Sequence, residues 1–482
     1  MTAASSSNRR ASTTSLMNGS SRKQSSPLPK KDLSGVSECK YKNDKKCCTL
    51  RIFCANNSNN IIQLPINSAP EWNQLGNDID GQNTADFSGY SVAFGDNGNV
   101  VAICAPGARS GGSIENGQTR VYNWNGLVWT QLGEDIDGVS AGDNSGRAVD
   151  LSRDGTRLGI GAMFNDGNGF MSGHVRIYNW NGAAWTQLGG DIEGEAEEDL
   201  AGWSISVSGD GNRLAVGAPG NDANNAYYNG HVRVYEWSGS VWVQLGGDID
   251  GVAENDGFGT SVSLSDSGTR LAVGADGNDD SGNNSGHVRI FEFIGRLWTQ
   301  VGSDIGGAAA GDRFGTSISI ADNGNVVAIG APSSANGYVR VYFWNGSAWT
   351  QIGEDLIGEA PGDNFGTAVS LAVNGRRVAV GARFNDGNNG YYNGHVRVFD
   401  FTNNSWDQLG GDIDGEGDTD LSGTSVGLLS DDGTRIAIGA PFNDGNGIDS
   451  GHVRIFELFE EDESTGGGGG TGGGGKCNGY LV

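Results

Sequence analysis

A tryptophan followed two residues later by Gln-x-Gly, with x aliphatic, recurs at Trp72, Trp129, Trp185, Trp242, Trp298, Trp349 and Trp406. Successive copies lie 57, 56, 57, 56, 51 and 57 residues apart. A fixed period of this size marks a chain built from one supersecondary unit repeated seven times. It is longer than a WD40 blade and fits a four-stranded blade with generous loops. No window shows sustained apolar spacing at i, i+3, i+4 and i+7, so long helices are excluded.

Four strands are legible in one copy. Thr260 to Ser265 alternates apolar and polar residues, and Ser265-Asp266-Ser267-Gly268 turns the chain. Arg270 to Ala275 is a nearly continuous apolar run, which suits a strand covered on both faces. His287 to Phe293 and Trp298 to Gly302 follow, often joined by Asn-Gly, as at Asn345-Gly346. That dipeptide favours the type I′ hairpin, whose central residues need positive φ. The ends of the array are complementary. Trp72 to Ile79 is a fourth strand with no blade before it, and His452 to Leu458 is a third strand with no fourth after it. Their union completes a seventh blade and removes the exposed edges. The expected fold is therefore all-β: a seven-bladed β-propeller of four-stranded blades, closed by the N-terminal strand.

This gives three regions. Residues 1–70 are rich in Ser, Lys, Arg and Asn and too poor in apolar residues to offset the entropy of ordering. Residues 71–460 form the propeller. Residues 461–482 pass from an acidic cluster into a glycine-rich run of linker character. Charge is divided the same way. The first 70 residues hold 11 basic and 3 acidic side chains, and the remainder holds 20 basic and 55 acidic ones. A body of that sign repels phosphate backbones, so no nucleic-acid partner is expected. Of the six cysteines, Cys39, Cys47, Cys48 and Cys54 crowd the N-terminal region without zinc-finger spacing or a nearby histidine. Cys104 falls in a buried-type strand and Cys477 in the tail. The Ser/Arg/Lys-rich start has no apolar segment of signal-peptide type, and no transmembrane segment is expected.

Phe258-Gly259, Phe314-Gly315 and Phe365-Gly366 precede the first strand of their copies. Gly217-Ala218-Pro219, Gly330-Ala331-Pro332 and Gly439-Ala440-Pro441 end the second. Over residues 72–459 the chain resembles the FG-GAP repeats of the integrin α-subunit propeller. Single copies decay: Leu200-Ala201-Gly202 stands where FG is expected, and Gly161-Ala162-Met163 where GAP is expected. The resemblance implies an extracellular or cell-surface location, whereas the start of the chain suggests the cytosol, so the compartment stays open. Many members carry a DxDxDG calcium loop between the first two strands. Here the turns are short, as in Arg153-Asp154-Gly155-Thr156 and Asp431-Asp432-Gly433-Thr434, and supply too few oxygens for calcium.

All five histidines (His174, His231, His287, His395 and His452) occupy one repeat position, replaced by Gln118 and Tyr338 in the other two copies. Spaced a blade apart, they cannot converge on one ion. An arginine two positions on occurs in all seven copies, as do two aspartates, the Asp78 to Asp412 series and the Asp86 to Asp420 series. Buried arginines need carboxylate partners, so these are expected to be repeated structural pairs. The loops between second and third strands carry Asp166, Asp222, Asp280, Asp386 and Asp444 and share a face with the fourth-to-first connections. Such oxygen-rich loops are candidates for weak calcium binding, although Asn, Asp and Gly are also ordinary turn residues. The fifth-blade loop, Ser333 to Asn336, is short and should leave a notch beside Tyr338. Tyr338, Tyr227, Tyr228, Tyr391 and Tyr392 are the candidate ligand-binding aromatics. No GxSxG, HExxH, P-loop or nucleotide fingerprint occurs. The expected function is non-catalytic binding or adhesion, with a protein or glycan ligand held on the loop-rich face by a monomer. An intracellular interaction scaffold is the alternative, and a carboxylate-dependent hydrolase a more distant one.

Overall fold

The computed structural model describes residues 70–459 apart from 96–97, 111–113, 223–225, 388 and 430–432. The N-terminal region with its four cysteines, the glycine-rich tail and the turn at Asp431-Asp432 lie outside the described residues. Every regular element among the described residues is a β-strand. The strands form seven separate antiparallel sheets, the blades of one propeller. In the fourth blade the order from the axis outward is Ser261–Leu264, Arg270–Ala275, His287–Ile294 and Leu297–Gln300. The seventh blade closes as its sequence predicts, with Trp72 opposite Leu458, Gln74 opposite Phe456 and Asp80 opposite His452.

The outermost strand is interrupted. After Gln300 the chain leaves the ladder and rejoins it at Ile305–Gly306, which pairs again with His287 and Val288. Gly302 makes the break with φ of +82°, and a Cβ there would meet Trp349 of the next blade at 2.8 Å. The repeat motif is explained by this corner. Each Gln donates to the Asp four residues on, at 2.5–2.8 Å in all seven copies, for example Gln351 to Asp355 and Gln187 to Asp191. Each Trp indole N–H donates across the blade boundary to the aliphatic residue's carbonyl, as Trp349 does to Val301 at 2.9 Å. At the ring closure Trp72 does the same to Leu409.

The core is seven wedges between blades. One wedge combines Val232 and Val234 of the third blade with Val262, Leu264, Leu271 and Val273 of the fourth. Another joins the last blade, through Val453 and Ile455, to Val92, Val101 and Ile103 of the first. Covered on both sides, the second strand reads as a continuous apolar run, with all six residues of Arg377–Ala382 buried. Phe258, Phe314 and Phe365 of the FG pairs are fully buried in these wedges. Cys104 is an inert thiol there: burial pushes its pKa to about 12, against a contact with Thr119 at 3.1 Å.

The expected arginine–aspartate pairing is realised in only two blades, by Arg176 with Asp191 at 2.7 Å and Arg340 with Asp355 at 2.9 Å. In the other five blades the guanidinium reaches a backbone carbonyl of the preceding blade: Arg120 to Asp80, Arg233 to Glu193, Arg289 to Asp250, Arg397 to Ile357 and Arg454 to Asp414, at 2.6–2.8 Å. Three of these five also face a glutamate, Arg233 with Glu195 at 3.3 Å, Arg454 with Glu416 at 3.4 Å and Arg397 with Glu359 at 3.8 Å, so the carbonyl adds to a carboxylate partner there and does not replace it. The Asp86 to Asp420 series has a different task. These carboxylates are buried and hold the interblade connections, accepting backbone N–H groups, such as those of Gln82 and Asn83 at Asp86. Five of them also accept the side-chain amide of a second-to-third-strand loop, as Asp363 does from Asn385 at 2.8 Å.

Candidate functional site

These amide contacts place the second-to-third-strand loops and the interblade connections on one face. The loop carboxylates are distributed around it, one to a blade, and fold their own loops. Asp166 accepts the N–H of Met171, Asp222 that of Tyr228, Asp386 that of Tyr392 and Asp444 that of Asp449, at 2.8–2.9 Å. In the fourth blade the loop-holding residue is Asp279, which accepts from Asn284 at 2.7 Å. Asp280, one position on, stands 3.6 Å from His287 Nδ1.

The candidate aromatics divide. Tyr227 and Tyr228 are neighbouring rings 4.1 Å apart, and Tyr391 and Tyr392 form a stacked pair at 3.8 Å three blades away. Tyr227 and Tyr391 are each more than half exposed. Tyr338 is turned inward, and its hydroxyl donates to Asp312 at 2.9 Å. The short fifth-blade loop lacks the asparagine that meets this aspartate series in the second blade and others, so the phenol takes its place. The exchange of His for Tyr is thus a repair of the shortened loop.

The concavity that gathers unlike side chains lies elsewhere, at the mouth of the axial channel on the loop-rich face. It has a volume of about 480 Å³ and is walled by the inner strands of all seven blades. The residue after each FG-type glycine points to this rim: Tyr90, Arg147, Trp203, Thr260, Thr316, Thr367 and Thr424. Four threonines face three residues that break the symmetry. The Arg147 guanidinium lies between two rings, 5.0 Å from Tyr90 and 4.6 Å from Trp203. A second repeat position, usually the proline of GAP, carries Asp276 in the fourth blade and Arg383 in the sixth. Arg383 sits over Phe384 at 4.8 Å, and its buried Nε has no hydrogen-bond partner. Burial lowers its pKa against the opposing effect of Tyr90, and the positive charge of Arg147 adds a smaller lowering. Asp276 meets Thr260 at 3.1 Å and Arg313 at 3.4 Å. Burial raises its pKa against the pull of Arg313.

Among the described residues, neither Arg147 nor Arg383 forms an ion pair with a carboxylate. The propeller contains no lysine and 19 arginines between residues 70 and 459, most of them committed to blade contacts. Two uncommitted guanidiniums at one concavity are therefore conspicuous. The opposite mouth, about 260 Å³, is acidic: Asp150, Asp266 and Asp322 line it with one arginine, Arg153, which pairs with Asp266 at 3.3 Å and with Asp322. Sequence reading missed the first mouth because it attended to what the copies share. Comparison of two columns, the one after the FG glycine and the one after the Ala of GAP, isolates Tyr90, Arg147, Trp203, Asp276 and Arg383.

Residues 250–291 match the FG-GAP repeat. No curated protein matches the chain. Among solved structures, the fold is similar to Kuenenia stuttgartiensis hydrazine synthase, with 13% identity and a TM-score of 0.50 over 80% of this chain and 97% of that one. The periplasmic gluconolactonase of Pseudomonas aeruginosa gives 14% identity and a TM-score of 0.48, over 68% of this chain and 85% of that one. A putative 6-phosphogluconolactonase from Bacteroides fragilis gives 10% and 0.47, over 68% of this chain and 85% of that one. At these identities the likeness is one of fold, and no activity passes with it. The chain is an FG-GAP-like seven-bladed β-propeller.

Proposed function

We propose that this propeller is a non-catalytic binding module that takes an anionic, hydroxyl-rich group of a glycan into the channel mouth of its loop-rich face. The observation that carries the reading is the pair Arg147 and Arg383, two guanidiniums without carboxylate partners in a strongly acidic protein. A guanidinium fork matches a carboxylate or sulfate, and Tyr90 and Trp203 offer the flat apolar faces on which sugar rings stack. The rim threonines supply hydroxyl groups that both donate and accept. The excess negative charge of the body acts over a Debye length of about 8 Å at physiological salt, so the nearby arginines dominate inside the mouth. The test is calorimetric titration with a uronic-acid oligosaccharide and its neutral, carboxyl-reduced counterpart. Binding of the acid alone, lost in Arg147→Gln and Trp203→Ala, supports the reading. Binding that survives both substitutions, or an equal preference for the neutral sugar, refutes it. If an acidic protein segment binds in the glycan's place through the same residues, the partner is a protein.

A catalytic reading has one observation in its favour, the buried Asp276 with its raised pKa beside Arg313. A carboxyl whose pKa is raised by burial is suited to general acid work. Turnover of a bound acidic oligosaccharide that vanishes in Asp276→Asn, with binding intact, would favour it. The acidic loop residues Asp166, Asp222, Asp280, Asp386 and Asp444 are proposed as a separate, weak calcium-binding rim, supported by their oxygen density alone.

A further inference from the structure

Blade 4 holds a cluster in which three ligand atoms, from Asp280, His287 and Asp304, lie within 4.8 Å of one another. His287 is only 2% exposed, and neither ring nitrogen has a hydrogen-bond partner. Its Nδ1 faces Asp280 Oδ2 at 3.6 Å, beyond hydrogen-bond range. Two ligands each about 2.1 Å from a shared ion stand about 3.4 Å apart at the tetrahedral angle and about 4.2 Å apart when opposed. The first blade provides the contrast. There Gln118 occupies the histidine position, and its amide donates to Asp135 at 3.2 Å and to Asp137 at 3.1 Å. Where hydrogen bonding is the role of this position, the side chain closes on its carboxylates. In blade 4 the imidazole stands off from them.

We propose that Asp280, His287 and Asp304 form a binding site for a borderline divalent ion such as zinc or cobalt(II). One imidazole nitrogen with two carboxylates is the donor set of such ions, whereas calcium takes oxygens alone. The nearest arginine does not fill the place of the ion. Arg289 donates to the carbonyl of Asp250 and lies 4.1 Å over the ring of Phe258. In the second, third and sixth blades an arginine does occupy a carboxylate of the equivalent cluster: Arg176 on Asp191, Arg233 on Glu195 and Arg397 on Glu359. The ion would tie a loop of the loop-rich face to the outer strand.

The test uses the full-length, tag-free chain with its accessible cysteines alkylated, since those thiols also bind zinc. After equilibrium dialysis against cobalt(II), bound metal and visible d–d absorption are measured. The expected result is loss of one equivalent of metal, with its share of the absorption, in both His287→Gln and Asp280→Asn. Asp280 lies on an exposed loop, so its variant reports even if the histidine variant misfolds. Asp222→Asn is expected to keep the full equivalent. Retention of no metal by the wild type, an unchanged stoichiometry in Asp280→Asn, or displacement of cobalt by equimolar calcium would overturn the proposal.

Discussion

Acidification should weaken the ring through its buried histidines, and His231 gives the effect a size. The residue is 1% exposed, and its Nε2 has no partner. Burial, reinforced by Arg233 and opposed by Asp248, lowers its pKa to about 4. A histidine with a depressed folded pKa contributes its full share of stability above the unfolded value of about 6.5 and loses it as pH falls toward 4. Between pH 8 and pH 5 the unfolded state takes up the proton and the folded state does not, a loss of about 2 kcal/mol. For a ring of this size that corresponds to roughly 2–3 °C in the thermal midpoint. Carboxylates with raised folded pKa, such as Asp80 and Glu416, change stability in the opposite direction on acidification, so the wild-type curve alone does not isolate the histidine. The comparison is wild type against His231→Gln, the residue the first blade carries at this position, by calorimetry in EDTA at both pH values. The wild type should lose about 2–3 °C more than the variant. Equal losses in the two proteins would show that His231 exchanges its proton freely in the folded state, and the reasoning would fail.

Other consequences are open to measurement. Gly230 has φ of +74°, and a Cβ there would meet the Phe258 carbonyl oxygen at 2.2 Å, so Gly230→Ala should cost more than about 3 kcal/mol. Gly126, at φ +95° with open space around it, should lose only about 1 kcal/mol as alanine, and similar costs for the two in denaturant titration would refute the packing argument. Trp72→Phe keeps an aromatic ring but removes the hydrogen bond that ties the N-terminal strand to Leu409 of the sixth blade. It should destabilise by about 1–2 kcal/mol and speed proteolysis within residues 70–80, whereas unchanged cleavage would show that the ladder with His452–Phe459 alone holds the strand. Millimolar calcium should raise the thermal midpoint above that in sodium chloride of equal ionic strength, and Asp386→Asn with Asp444→Asn should abolish the difference. A shift matched by sodium chloride would reduce the effect to screening.

The parts of this protein that were legible in the sequence are those a sevenfold repeat must state seven times. Period, strand number and ring closure follow from the position of Trp72 and from the missing fourth strand after His452. The physical content of the Trp-x-Gln-x-Gly motif was not legible, because its three contacts join different parts of the fold. The glutamine answers an aspartate four residues on, the glycine seats the next blade's indole, and the carbonyl between them accepts that indole's N–H. The partners of the repeated arginines were legible only in part. A carboxylate was expected beside each buried guanidinium, and five of the seven have one, from the aspartate series in two blades and from a glutamate in three. The backbone carbonyl of the preceding blade that five of them reach is invisible in one dimension. The site obeys the inverse of the rule that found the fold. Arg147 departs from a column of threonines, and Asp276 and Arg383 from a column dominated by proline, so averaging over copies erases all three. In a closed ring the invariant positions are consumed by blade-to-blade contacts. Chemistry directed at a single ligand would therefore fall to residues that occur once, and three such residues line the channel mouth.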